Sequence, residues 1–146
     1  MLPFYAIARL AAASVADPLL VFWVGYFGED AVAQILFIEY VRESLERRRC
    51  GLDTAGHTVA SAQNFADGLR AIELGKYDVV VLGNSIPQEQ RNSLAAAAKK
   101  ARPATRVLVM YSDTVYHAEL ADALINTTAT AEDLRRTVEY LMHRTP

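Results

Sequence analysis

Few side chains in this 146-residue chain are spaced for chemistry. Asp113, His117 and Glu119 could suggest a metal, but their spacing matches no zinc or calcium template, and His57 and His143 belong to other segments. They read as a solvated loop. Gly25-Tyr26-Phe27-Gly28 is not a phosphate loop, because no strand precedes it and no Gly-Lys-Ser/Thr follows. Arg47-Arg48-Arg49 could meet an anionic surface. Three consecutive positions fan around a helix, however, and Glu43, Glu46 and Asp53 lie nearby, so a solvated face is expected. Cys50 is the single cysteine, which excludes an internal disulfide and a cysteine zinc site; it reads as helix packing. Ser85 precedes Pro87 and reads as a helix cap, and no Ser-His-Asp order has workable spacing. No enzyme is expected.

The elements that would position a site are clearer. Apolar residues make up 52% and charged residues 22%, a globular composition, and the net charge of −2 gives no basic excess for nucleic acid. Gln34-Ile35-Leu36-Phe37-Ile38 is a short apolar run, as in a strand buried on both faces. Val41 to Ala55 follows as a helix with Val41, Leu45 and Leu52 on one face and Gly56 at its stop. His57 to Ser61 is β-branched enough for an edge strand. Asn64 and Asp67 cap a helix carrying Phe65, Leu69 and Ile72, closed by Gly75. Asp78 to Leu82 is the strongest strand. Pro87 opens a helix through Leu94, Ala97, Ala98 and Ala101, and Arg106 to Met110 is a fourth strand. Ala123-Leu124-Ile125 is a weak fifth, and Thr130 with Asp133 caps a last helix bearing Leu134, Val138 and Leu141.

Strands separated by helices predict an α/β fold, a doubly wound five-stranded parallel sheet with helices on both faces. Such sheets carry their working residues at the carboxyl ends of the strands. Those ends are Glu39-Tyr40, the residue after Leu82, and Tyr111-Ser112.

Residues 1–33 differ from the rest. They hold six of the thirteen aromatics and only four charged residues. The stretch from Leu10 to Gly28 approaches spanning length, but Asp17 and Pro18 stand near its middle. Ser14-Val15-Ala16 resembles a cleavage site, yet Arg9 interrupts the apolar region. An apolar arm packing on the domain or on a second copy is favoured over membrane contact. Residues 34–146 balance 14 acidic against 14 basic residues and read as one ordinary domain.

From Gln34 onward the sequence resembles the receiver domain of bacterial two-component response regulators, in a degenerate, pseudo-receiver form. The stretches that carry the resemblance are Ile35-Leu36-Phe37-Ile38-Glu39, Ala55-Gly56-His57-Thr58-Val59, Tyr77-Asp78-Val79-Val80-Val81-Leu82, Ser85-Ile86-Pro87, Arg102-Pro103 and Ala121-Asp122-Ala123. The resemblance implies a flavodoxin-like strand order 2-1-3-4-5. It also implies phosphoryl transfer to an aspartate after the third strand, with Mg²⁺ held by an acidic pair, a hydroxyl after the fourth strand and a lysine after the fifth. Here the acidic pair is Glu39-Tyr40 and the phosphoacceptor position is Gly83. The hydroxyl position is Tyr111, beside Ser112, and the lysine position falls on Asn126-Thr127. Glycine offers no acceptor atom, and one glutamate is a poor replacement for a carboxylate cluster around Mg²⁺.

The expectations are therefore a signal-transduction domain acting through a protein partner or self-association, without phosphorylation at Gly83 and with no cofactor or Mg²⁺; the alternatives are a regulator phosphorylated at an atypical site, with Asp113 beyond the fourth strand as the candidate acceptor, and a membrane-tethered receiver-like platform. No nucleic acid is expected, and the location is cytoplasmic. Tyr111 should fill the space beside Gly83, and Glu39 should bond to a backbone N–H, a hydroxyl or solvent. Between Tyr111 and Asp122 the chain has room for only a turn or two, so the family's fourth helix should be shortened.

Overall fold

The computed structural model describes residues 32–112 and 120–143. Its strands are β1 (Gln34–Ile38), β2 (Thr58–Ala62), β3 (Val79–Leu82), β4 (Arg106–Tyr111) and β5 (Ala123–Asn126). Its helices are α1 (Arg42–Thr54), α2 (Phe65–Leu74), α3 (Gln88–Ala101) and α4 (Ala131–His143). All strand pairs are parallel, and the order is β2-β1-β3-β4-β5. β1 is an interior strand, pairing Ile38 with Ala62 of β2 on one side and with Leu82 of β3, the central strand, on the other.

Successive side chains on a strand point to opposite faces, and the core divides accordingly. Ile35, Phe37, Val79, Val81, Leu108 and Met110 pack with Leu45 and Leu52 of α1 and Leu134, Val138 and Leu141 of α4. Leu36, Ile38, Val80, Leu82, Val107 and Val109 pack the other way, with Ile72 of α2 and Leu94, Ala95 and Ala98 of α3. Burial on both faces explains why the strands are continuous apolar runs.

Helix ends follow from local chemistry. Asn64 Oδ1 accepts the Asp67 N–H at 2.8 Å. Thr130 Oγ1 accepts the Asp133 N–H at 3.1 Å while Asp133 Oδ2 accepts the Thr130 N–H at 3.3 Å, a reciprocal capping box. Gly56 follows α1 at φ +93°, a conformation open to glycine and strained for other residues.

Several local expectations are corrected. Val41 is 48% exposed and stands before α1, so the buried stripe consists of Leu45 and Leu52. His57 precedes β2, and Pro87 is the residue before α3. Cys50 is exposed, because it lies off the Leu45–Leu52 stripe. Among the described residues no helix is long and apolar enough to cross a membrane. The apolar arm, apart from Val32 and Ala33, lies outside the described residues, as do residues 113–119, on which the shortened-helix expectation falls.

Candidate functional site

The carboxyl ends of β1 and β3 come together because the two strands pair in register, Ile38 against Leu82. The next residue on each is Glu39 and Gly83, and Gly83 donates its N–H to Ile38 O at 2.8 Å. Glu39 N–H is held in turn by Ala62 O of β2 at 3.1 Å. Glu39 is fully buried. Its Oε1 accepts the Tyr40 N–H at 3.0 Å, and its Oε2 accepts from Arg48 Nη1 at 3.2 Å.

The carboxylate lies over Gly83. A Cβ placed on residue 83 would stand 2.5 Å from Glu39 Cδ and 3.0 Å from Oε1, and closer still to Oε2. The three atoms nearest that position all belong to Glu39, so the Glu39 carboxylate occupies the space where a side chain on residue 83 would begin. Burial pushes the Glu39 carboxyl above its ordinary value, opposed by the Val41 N–H, the Arg48 charge and the N–H groups of Tyr40 and Ser85. Burial likewise pushes the Arg48 guanidinium down, and Glu39 pulls it back up.

Tyr40 closes the site on the α3 side. Its N–H also reaches Ser85 Oγ at 3.0 Å, and its hydroxyl donates to Gln90 Oε1 at 2.6 Å. Burial pushes its phenol up. Ser85 therefore holds the β1–α1 turn, and α3 starts at Gln88 after Pro87 without a side-chain cap, a correction to the cap expected at Ser85.

The remaining positions sit at the ends of β4 and β5, one and two strands beyond β3. Tyr111 pairs with Asn126 across β4 and β5, and Thr127 N–H extends the pairing to Tyr111 O at 2.8 Å. Asn126 Nδ2 donates to Ser112 O at 3.2 Å, and its Oδ1 receives the Thr128 N–H and hydroxyl, both at 2.8 Å. The lysine position thus makes a neutral, self-satisfied turn. Asp113 lies outside the described residues.

Arg48 is the site residue that sequence reasoning placed wrongly. The three arginines were expected on a solvated face; Arg47 is exposed, but the Arg48 side chain is only 14% exposed. The signal was available, since Leu45, Arg48 and Leu52 lie at i, i+3 and i+7 on the stripe facing the sheet. As a donor set the site offers one carboxylate already paired with a guanidinium, which does not fit Mg²⁺. Among the described residues no group of three or more His, Cys, Asp or Glu side chains could hold a metal ion.

No protein-family model matches this sequence, and no curated protein matches it. Solved structures do. A CheY-like response regulator receiver domain protein from Methanospirillum hungatei JF-1 aligns with a TM-score of 0.69 at 20% identity, covering 76% of this chain and 94% of that one. A response regulator protein from Thermotoga maritima, in complex with Mg²⁺-BeF, aligns at 0.66 and 20% identity over 74% and 97%. The receiver domain of a sensor histidine kinase from Pseudomonas aeruginosa PAO1, with a magnesium ion in its active site cleft, aligns at 0.68 and 12% identity over 77% and 99%. The five-stranded parallel sheet of order 2-1-3-4-5 in this chain has the fold of response-regulator receiver domains.

Proposed function

We propose that this chain is a signal-transduction domain of pseudo-receiver type, which works by binding a protein partner or a second copy and not by accepting a phosphoryl group at residue 83. The observation that carries this is the Glu39 carboxylate standing where an acceptor side chain would begin, with Arg48 neutralising it. Gly83 has no nucleophilic atom. A charge-paired glutamate is a weak lure for Mg²⁺, and a phosphoryl group would find no lysine at Asn126-Thr127 to balance its oxygens. On this reading the domain is no enzyme, needs no cofactor, and operates in the cytoplasm. The apolar residues 1–33 cover a face of the domain or of a second copy, with membrane contact as the competing arrangement.

The test is incubation of the full chain with acetyl phosphate and Mg²⁺, read by intact mass, and with beryllofluoride and Mg²⁺, read by amide NMR shifts. Unchanged mass and unchanged shifts at residues 39, 83 and 111 are expected. A stable gain of one phosphoryl group on an aspartate would overturn the proposal. Light scattering and membrane fractionation then separate self-association from membrane attachment.

A further inference from the structure

The pocket at the head of β3 is filled from within the chain. Three features hold its occupant in place. Glu39 is fully buried, so its carboxylate has no water to return to without moving the β1–α1 turn. That turn is fastened on both sides, by the Glu39 N–H to Ala62 O at 3.1 Å and by the Tyr40 N–H to Ser85 Oγ at 3.0 Å. Arg48, on the sheet-facing stripe of α1, supplies the counter-charge from a helix nine residues on. A buried carboxylate stripped of its partner is costly, so the pair is held together more strongly than an exposed one.

We propose that Glu39 and Arg48 form a built-in lock. The carboxylate takes the volume that any side chain on residue 83 would need, and the guanidinium ties α1 to the heads of β1 and β3. The position of α1 then depends on this pair staying intact and not on a ligand entering the pocket. This deepens the signalling role proposed above and rests on it. It also assigns glycine at residue 83 a positive requirement: the position must lack a Cβ for the lock to close.

The cation in this lock comes from α1, next to β1, whereas the β4 and β5 ends satisfy their own polar groups through Asn126, Ser112 and Thr128. Breaking the lock should therefore loosen α1 and the turns after β1 and β3, and leave the β4–β5 pairing intact.

A double-mutant cycle on the full chain tests it. Gly83→Ala in the wild-type background should raise the unfolding equilibrium constant by about tenfold or more, and by less than about threefold in a Glu39→Ala background, a coupling of the size contacting residues show. Equal effects in the two backgrounds would overturn the lock. If Gly83→Ala folds only when Glu39 is also removed, the lock is supported. Arg48→Met gives an independent measurement: amide exchange in α1 and at residues 39–41 and 83–85 should speed up by about tenfold while α2 and α3 stay unchanged, as local opening requires. Uniform or absent change would overturn it. Phosphoryl uptake by the wild type would sink the earlier proposal and leave this cycle standing, so the two failures are distinguishable.

Discussion

His57 Nε2 donates to Glu139 Oε2 across 3.1 Å, joining the turn before β2 to the last helix although 82 residues separate them. Its Nδ1 already accepts the Ala33 N–H at 3.0 Å, so the ring proton sits on Nε2. Burial raises the Glu139 carboxyl, but the hydrogen bond from His57 and the charge and hydrogen bond of Arg135 outweigh it and hold that carboxyl below its usual range. His57→Leu would leave the buried Ala33 N–H without an acceptor and should cost about 1–3 kcal/mol. Glu139→Gln keeps an acceptor at a partly exposed position and should cost less. Urea unfolding, compared by midpoint at constant slope, decides between the two magnitudes.

The raised Glu39 carboxyl sets a direction for pH dependence. Its folded value lies above the ordinary 4.5, so in between the folded chain holds a proton the unfolded chain has released. Stability contributed by this group therefore rises as pH falls through that window and is complete below the unfolded value. Wild type should gain on Glu39→Gln as the pH is lowered from neutral toward the ordinary carboxylate value in paired urea titrations. A difference that stays flat, or moves the other way, counts against the assignment.

Gly56 tests backbone strain alone. It holds φ +93° with no atom within 4 Å of a built Cβ. Gly56→Ala should destabilise by about 1 kcal/mol through conformation, without any packing change. Thermal unfolding checks the loss, and unchanged methyl NMR shifts in the core check its cause.

The capping box of α4 should behave as a unit. Thr130→Ala and Asp133→Ala should each cost about 1 kcal/mol, and the double variant less than their sum, because each residue bonds the other's N–H. Amide exchange confined to the first turn of α4 would show the frayed end.

Local patterns in the sequence determined the strands, the caps at Asn64 and Thr130, and the parallel sheet. Each of these depends on residues a few positions apart: apolar runs, cap and third-residue pairs, a glycine at a helix stop. The chemistry-bearing positions were legible for the same reason, as Glu39 and Gly83 each follow a strand. What occupies the space between them was not. The tertiary structure alone decided that Glu39 turns onto Gly83, that Arg48 faces inward, and that Ser85 serves the β1–α1 turn rather than a helix end. His57 and Arg91, both nearly buried, were likewise settled only by packing: one against Ala33 and Glu139, the other donating to Met110 O at 3.1 Å. Side-chain direction and the nearest opposite charge depend on elements brought together by sheet register and helix docking, and no short-range periodicity encodes them.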